Sequence, residues 1–313
     1  MQHISVLKED VQKYLDLKSG EVLVDTTLGL GGHSKDALEK IGEKGRLIAF
    51  EQDERNLEEA QRRLKAYEKQ TVYIHDNFRH LKTRITGSGF DQVDAILFDL
   101  GLSSPHVDEE DRGFSFSKDG PLDMRFDPRA KLTAAEVINE YREEDLMKIF
   151  FEYGEEKMSR KIAGRIVERR ADKLFSSTAE LAEYIESVVP RKRSKKGSSS
   201  HPATRIFQAL RIEVNDELGA LSDALEQIIN ILRVGGRVVA ISYHSLEDRM
   251  VKKFFKKLER PVATGENAIY SNFDDPIFES ITKKPVIPSE KEIEENPRSR
   301  SAKLRAYIKV REP

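Results

Sequence analysis

The chain has 313 residues, 38% of them hydrophobic and 35% charged, with a formal net charge of −2. This length predicts one large domain with an insertion, or two domains. No apolar run approaches the roughly 20 residues of a membrane-spanning helix, and the first residues, MQHISVLKEDV, lack a signal-peptide core. The absence of Cys excludes disulfides, thiolate zinc sites and cysteine nucleophiles. We therefore expect a soluble, cytoplasmic protein without a membrane partner.

Short apolar runs rich in β-branched residues alternate with helical patterns near the amino terminus. The predicted strands are 22–27, 46–52, 72–77 and 95–100, and the predicted helices are 34–41 and 55–68. This alternation indicates βαβ units around a parallel sheet. We therefore predict an α/β fold with a doubly wound, mostly parallel sheet.

Two further strands are predicted near the carboxyl terminus. A helix from about 212 to 232 precedes a strand at 237–243, and Gly235 and Gly236 between them suit a helix C-cap. The alternating run at 302–310 is expected to close an edge of the sheet.

More than 130 residues separate Gly101 from Gly236, far more than a βαβ crossover needs. Thr133 and Ser177 each precede a Glu by three residues, the spacing of a capping box. We therefore predict an all-helical insertion at 108–205, which leaves 1–107 and 206–313 as a discontinuous α/β domain. Its predicted helices are 133–141, 143–153, 155–170 and 177–189.

The stretch from Asp94 to Asp127 begins in the fourth predicted strand, which carries Asp99 at its carboxyl end. It continues as a long loop of small and polar residues. Ligands of open α/β sheets bind just outside the carboxyl ends of the strands. A loop of this length without regular structure is uncommon unless it is functional or disordered. We therefore place a candidate active site at Asp99–Pro105, with an ordinary surface loop as the alternative.

The turn after the first strand, DTTLGLGGHS, is rich in Gly, which lets the backbone approach a ligand closely. The second strand ends at Glu51, where an acidic side chain can bind both ribose hydroxyls of a nucleoside. The dinucleotide fingerprint G-x-G-x-x-G would need Gly at position 34, which is Ser. Asp25, before the first Gly, suits an adenosyl group with a cationic amino-acid tail. S-adenosylmethionine is therefore favoured over a dinucleotide.

The third predicted strand leads into Phe78, which would either pack on an adenine face or fill the core. His33 could cover the cofactor from the start of the following helix. Neither His3 nor His33 has the spacing of a metal ligand, so we predict no metal site.

Four blocks of this chain resemble the signature of one family: DTTLGLGGHS, FDLGLSSPHVDEEDRGFSFSKDGPLDMRFD, HPATRIFQALRIEVNDEL and ISYHSLEDRMVKKFF. Over nearly its whole length the chain is similar to the bacterial S-adenosylmethionine-dependent methyltransferases of small-subunit (16S) ribosomal RNA. Those enzymes methylate the exocyclic N4 amine of a cytidine in the decoding centre. The resemblance implies a Rossmann-like methyltransferase sheet, an S-adenosyl-L-methionine cofactor and 16S ribosomal RNA as substrate, either naked or within the small ribosomal subunit.

The resemblance also implies which positions contact the cofactor. Glu51 stands where Asp is common in the family, and His106 stands where Gln is often found. The implied positions are Gly31, Gly32, His33, Glu51, Phe78, Asp99 and His106.

A cytosine amine is a poor nucleophile because its lone pair is delocalised into the ring, so acceptors aimed at its protons should assist methyl transfer. Asp99 and the following residues to Ser103 supply such acceptors, with Asp99 orienting the cofactor or the amine. Either Asp99 or water could take the proton. His244, after the fifth predicted strand, would line the base pocket or make a structural hydrogen bond.

A basic run between the predicted helices suggests an RNA contact, although such runs are often only solvated surface. We expect the helical insertion to recognise RNA through Arg191, Lys192, Arg193, Lys195, Lys196 and Arg205. Further cationic residues towards the carboxyl terminus could complete a groove for a phosphate backbone. The loop aromatics Phe114, Phe116 and Phe126 would stack on a base or, preferably, pack the insertion against the sheet.

Three functions remain open at this point. The leading one is an RNA cytosine methyltransferase. The second is a methyltransferase of the same fold that acts on another RNA, a protein or a small molecule. The third is a non-catalytic RNA-binding factor, against which the Gly31–Gly32 turn and Glu51 argue.

Overall fold

The computed structural model describes residues 5–189, 201–259 and 276–313. The chain forms two compact units. The sheet unit comprises Met1–Gly101 and Leu218–Pro313, and the helical unit comprises Leu102–Glu217. Within the described residues, no helix is both long and apolar enough to cross a membrane.

The sheet unit is built on a sheet that has seven strands within the described residues, in the order β3-β2-β1-β4-β5-β7-β6. Strands β1 to β5 are parallel, whereas β7 pairs antiparallel with both β5 and β6. The predicted doubly wound, mostly parallel α/β fold is therefore confirmed. The strands are β1 Val22–Asp25, β2 Arg46–Glu51, β3 Thr71–His75, β4 Val93–Asp99, β5 Leu232–Ser242, β6 Phe278–Ser280 and β7 Lys303–Lys309.

Helices cover both faces of this sheet because successive side chains of each strand point to opposite faces. In β4, Ile96 and Phe98 pack in one apolar layer, and Ala95 and Leu97 pack in the other. The first layer contains residues of α4, α11 and α12, and the second contains residues of α1, α2 and α3. The helices of the sheet unit are α1 Lys8–Leu15, α2 Gly32–Ile41, α3 Glu54–Arg63, α4 Leu81–Gly87, α11 Glu217–Ile231, α12 Ser245–Glu259 and α13 Glu290–Glu295.

The start of β5 differs from the prediction. The preceding helix ends at Ile231, and β5 already begins at Leu232. Val93 pairs with Leu232 and Ala95 pairs with Arg237, so residues 233–236 bulge opposite a single residue of β4. The prediction that the two glycines cap a helix is wrong, because they lie in this bulge, where a Cβ on Gly236 would be 2.8 Å from backbone oxygens.

The edge of the sheet also differs from the prediction. The predicted strand at 302–310 is present as β7, but it lies between β5 and β6. The three-residue strand β6 is therefore the edge, and its shortness limits the unpaired backbone that the edge exposes.

The helical unit has its own apolar core. It extends beyond the predicted insertion, 108–205, at both ends. The loop aromatics Phe114, Phe116 and Phe126 pack in this core among the helices. Their packing against the sheet and their stacking on a base stay predictions. The helices are α5 Ser104–Asp108, α6 Ala134–Glu140, α7 Glu143–Glu152, α8 Ser159–Arg170, α9 Thr178–Val188 and α10 Ala203–Asn215.

Both predicted capping residues begin a helix of this unit. Thr133 Oγ1 accepts the backbone N–H of Glu136, and Glu136 Oε2 accepts the backbone N–H of Thr133 at 2.7 Å, which completes a capping box. Ser177 Oγ accepts the backbone N–H of Glu180, but the Glu180 carboxylate accepts from Ser176 instead. The second motif is therefore only half of a box.

Candidate active site

Asp99 is the last residue of β4 and lies at the carboxyl end of the parallel strands. Its backbone N–H donates to Thr27 Oγ1 at 2.7 Å, which fixes the main chain. Its Oδ1 accepts a 2.9 Å hydrogen bond from the Tyr243 hydroxyl, and its Oδ2 lies 3.6 Å from His33 Nε2. The side chain is 25% exposed. Asp99 is thus fixed in position while a quarter of its side-chain surface remains exposed.

The protonation of Asp99 changes near neutral pH. Burial raises the pKa of this carboxyl to about 7, and the negative charges of Asp25 and Glu247 also raise it. The hydrogen bond from Tyr243 acts in the opposite direction. Burial and the neighbouring Asp99 raise the pKa of Tyr243 well above 10, so its hydroxyl stays protonated and can donate.

The glycine turn after β1 packs closely against the side chain of Leu64. Gly29 and Gly31 have φ values of 51° and 76°, in the left-handed region that favours glycine. A Cβ on Gly31 would lie 3.1 Å from Leu64 Cδ1. Gly32 is the first residue of α2, and His33 follows as a buried residue. The structure therefore places three predicted cofactor positions in one tight turn at the start of a helix.

Glu51 joins this turn to the turn that follows β2. Its Oε2 accepts the backbone N–H of Gly29, and its Oε1 accepts those of Gln52 and Asp53, each at 2.8 Å. A carboxylate has about four acceptor positions, so one position on Oε2 remains for a hydroxyl. Burial raises the pKa of Glu51 to about 7. Its backbone contacts were not predicted from the sequence, because Gly29 and Glu51 are 22 residues apart.

Asp25, at the end of β1, is only 2% exposed. Its carboxylate accepts a 2.6 Å hydrogen bond from Ser34 Oγ and another from the Thr27 backbone N–H. Burial raises the pKa of Asp25 to about 6. Asp25 therefore connects the end of β1 to the start of α2 through buried hydrogen bonds. The sequence did not indicate this role.

Phe78 follows β3 and is buried in the core of the sheet unit. Its ring packs edge-to-face on Phe98, with the two centroids 5.9 Å apart. This packing agrees with the alternative in which Phe78 fills the core. A contact between Phe78 and an adenine stays a prediction.

Ser103 and His106 belong to the helical unit. Ser103 is the N-cap residue of α5, and its Oγ lies 3.0 Å from His106 Nδ1. The His106 ring is 4% exposed and packs against Phe114 and Phe126, with centroids 4.9 and 5.0 Å away. These contacts give both residues a structural role within their own unit. The catalytic role of Ser103 and the cofactor contact of His106 stay predictions.

Glu247 organises the turn between β5 and α12, and it was not predicted from the sequence. Its Oε2 accepts the backbone N–H groups of Tyr243 and His244, and its Oε1 lies 3.2 Å from His244 Nε2. The carboxylate is 2% exposed. Within the described residues, neither ring nitrogen of His244 has a hydrogen-bond partner, so both alternatives for this residue stay predictions. The spacing His-x-x-Glu at a strand-to-helix turn was the signal that could have identified Glu247.

The predicted RNA-contacting run Arg191–Lys196 lies outside the described residues. Arg205 lies in α10, where its guanidinium is 3.5 Å from Glu156 Oε2. Its side chain remains half-exposed. Its contact with RNA stays a prediction.

Comparison with known proteins decides the family. The model of the MraW methylase family matches residues 1–310. The chain belongs to the MraW methylase family. It is therefore a methyltransferase, which confirms the resemblance found in the sequence.

One relative of this MraW methylase supports that assignment by its sequence. It is 46% identical over 312 residues to the ribosomal RNA small subunit methyltransferase H of Streptococcus mutans serotype c, covering 99% of this chain and 98% of the relative. A putative rRNA-methylase from Clostridium thermocellum has a TM-score of 0.46 at 12% identity, covering 99% and 100% of the two chains. An rRNA methylase from Streptococcus thermophilus has a TM-score of 0.44 at 12% identity, with coverage of 99% and 100%.

Proposed function

We propose that this MraW methylase transfers a methyl group from S-adenosyl-L-methionine to the exocyclic N4 amine of a cytidine in 16S ribosomal RNA. The observation that carries the proposal is the Asp99 carboxylate, fixed at the end of β4 by Tyr243 and partly accessible. The family match over 1–310 and the relative named as a small-subunit ribosomal RNA methyltransferase support it.

The residues at the strand ends fit an adenosyl cofactor. Gly29 and Gly31 hold the turn in left-handed backbone conformations that favour glycine. Glu51 retains an acceptor position on Oε2 for a ribose hydroxyl. We assign the cofactor to Gly31, Gly32, His33, Glu51 and Asp99, with further contacts from Phe78 and His106. When bound, this cofactor supplies an electrophilic methyl group on a sulfonium.

Asp99 would increase the reactivity of the cytosine amine. Its carboxylate accepts a hydrogen bond from the N4 amine, which makes the nitrogen more electron-rich and stabilises the positive charge that develops on it. Tyr243 and Thr27 hold Asp99 before the substrate arrives, so little reorganisation is needed. This arrangement supports catalysis mainly by orientation and electrostatics.

A proton must leave the nitrogen after the methyl group has been transferred. Asp99, with a pKa raised to about 7, is matched to accept that proton near neutral pH. Water is the alternative acceptor. His244 would line the base pocket from the adjacent strand end, and Ser103 would supply a further acceptor.

The direct test uses 16S RNA and small ribosomal subunits from a strain that lacks the enzyme. Purified protein and labelled cofactor should produce N4-methylcytidine, identified by mass mapping of the nucleosides. Asp99→Asn should stay folded and lose about two to three orders of magnitude in rate. Comparison of naked RNA with assembled subunits identifies which of the two is the substrate.

Two other outcomes would contradict the proposal. Cofactor binding without any methylation of this RNA would indicate another RNA, a protein or a small molecule as the acceptor. Absence of cofactor binding by calorimetry would indicate a non-catalytic RNA-binding factor.

A further inference from the structure

The helix α12 carries a continuous stripe of positive charge. Its buried side contains Val251 and Phe255, four residues apart. The opposite side exposes cations at intervals of three and one residues, the spacing that places them on one face of a helix. These exposed residues are Arg249, Lys252, Lys253, Lys256 and Lys257.

The lysines of this stripe have no compensating charge. Exposed arginines on other helices pair with a carboxylate of the same helix, as Arg63 does with Glu59 and Arg165 with Glu168. Within the part of the chain that the structure describes, none of the four α12 lysines lies within ion-pair distance of a carboxylate. Like charges four residues apart on a helix repel one another. A polyanion bound along this face would relieve that repulsion.

Two of the three carboxylates of α12 are paired with other cations or buried. Asp248 binds Arg305 Nε at 2.7 Å and lies 3.8 Å from Lys303. Glu247 is buried under the turn that holds Tyr243. The third carboxylate, Glu259, is the last residue of α12 and accepts a hydrogen bond from Ser280 Oγ. The exposed residues from Arg249 to Lys257 are therefore all cationic.

Packing on the buried side holds α12 firmly. The Phe255 ring stacks on Tyr307 with centroids 3.7 Å apart and contacts Phe278 edge-to-face. All of α12 is described, and it exposes no large apolar side chain that could enter a bilayer. Charge without apolar surface favours a phosphate backbone over a membrane.

The stripe lies in the same unit as the reaction site. α12 begins directly after Tyr243 and His244, and Tyr243 contacts Asp99. From Arg249 to Lys257 the stripe is about 12 Å long at 1.5 Å per residue. That length matches three to four nucleotide steps of about 3.4 Å.

We propose that the exposed face of α12 binds the phosphate backbone of the RNA strand that presents its base to Asp99. The inference rests on the proposed function, because it takes RNA as the substrate. It assigns RNA contacts to the sheet unit, in addition to those predicted for the helical insertion.

The test replaces all four lysines together: Lys252→Gln, Lys253→Gln, Lys256→Gln and Lys257→Gln. The matched control removes the same charge from exposed lysines that lie within three residues of an exposed glutamate: Lys40→Gln, Lys44→Gln, Lys65→Gln and Lys69→Gln. The affinity for a fragment of 16S RNA is measured from about 50 to about 300 mM salt, a range that includes physiological ionic strength.

The α12 variant should bind RNA at least about tenfold more weakly at 0.15 M salt. The slope of log K against log salt should shrink by about 3, since each phosphate contact of a single strand contributes roughly 0.7. Cofactor affinity and kcat at saturating RNA should stay within about twofold of wild type, and so should every property of the control.

Equal salt slopes in the α12 variant, the control and wild type would overturn the inference. Loss of binding to vesicles of anionic lipid with an unchanged RNA slope would also overturn it. The proposed function fails separately, if wild type does not methylate the RNA at all. The salt slope is measured from RNA binding and not from methylation. The α12 inference can therefore be tested even if the proposed function fails.

Discussion

The Tyr243 hydroxyl donates a 2.9 Å hydrogen bond to Asp99 Oδ1. The two residues stand at the carboxyl ends of the adjacent strands β5 and β4, although 144 positions separate them in the chain. Tyr243 thereby fixes one oxygen of the carboxylate and favours its charged form. The relationship makes Tyr243 a positioning residue for Asp99.

Replacement of Tyr243 by Phe should shift the pH dependence of methylation. The hydroxyl lowers the pKa of Asp99, so its loss raises that pKa and moves the rise in activity to higher pH. The plateau rate should fall about fivefold, the equivalent of roughly 1 kcal/mol. The measurement is kcat against pH from 5.5 to 9, a range of about two units either side of the Asp99 pKa. Tyr67→Phe removes a hydroxyl outside the site and should leave the profile unchanged; an unshifted profile for Tyr243→Phe would refute the role.

Replacement of Asp99 by Asn should stabilise the protein although it lowers the rate of methylation. The folded-state pKa of about 7 lies above the ordinary value of 3.8, so between these values only the folded chain holds the proton. The free energy of unfolding therefore falls as pH rises from 3.8 to about 7. Asn does not titrate, so the variant does not lose this stability. At pH 8 the variant should unfold about 2–8 °C higher than wild type, with little difference near pH 4. Calorimetry of the cofactor-free protein tests this, and a difference that does not depend on pH would contradict it.

Replacement of Glu51 by Gln should weaken cofactor binding. An amide has one acceptor oxygen, so its NH₂ group must face a backbone N–H of Gly29, Gln52 or Asp53. The affinity for S-adenosyl-L-methionine should fall about tenfold to hundredfold at pH 8, measured by calorimetry. The exposed Glu58→Gln on α3 serves as the control. Unchanged affinity would show that Glu51 does not shape the cofactor turn.

Replacement of Thr133 by Ala should destabilise the helical unit alone. The change removes the side-chain acceptor for the Glu136 backbone N–H at the start of α6, which should cost about 1 kcal/mol. Urea unfolding followed by circular dichroism gives the free energy, with the exposed Thr83→Ala on α4 as the control. Cofactor affinity should not change. A parallel loss of cofactor affinity would show that the cap matters beyond its own unit.

The sequence was sufficient to predict the elements that repeat a local pattern. Strands β1 to β4 were predicted from apolar runs, and Thr133 and Ser177 were predicted as capping residues from spacing alone. The bulge at 233–236 was not predicted, because a glycine pair after a helix also fits a C-cap. Only the pairing of β5 with β4 distinguishes a bulge from a C-cap, and these two strands are far apart in the sequence.

The strand-end positions of the candidate site residues were predicted better than the contacts among those residues. Asp99, Glu51 and the glycine turn were identified because strand ends in an α/β sheet are the expected ligand-binding edge. The hydrogen bonds from Thr27 and Tyr243 to Asp99 depend on the order of strands in the sheet. The spacing His-x-x-Glu could have identified Glu247, but the burial of its carboxylate depends on tertiary packing.

The strand order also affects how the chain folds during synthesis. β4 lies between β1 and β5, but β5 begins about 130 residues after β4 ends. At roughly 5–20 residues per second, a ribosome needs on the order of ten seconds to supply that partner. During this interval the apolar strand β4 keeps one edge unpaired, and an unpaired edge favours aggregation. The nascent chain should therefore depend most on chaperones between the completion of β4 and the emergence of β5.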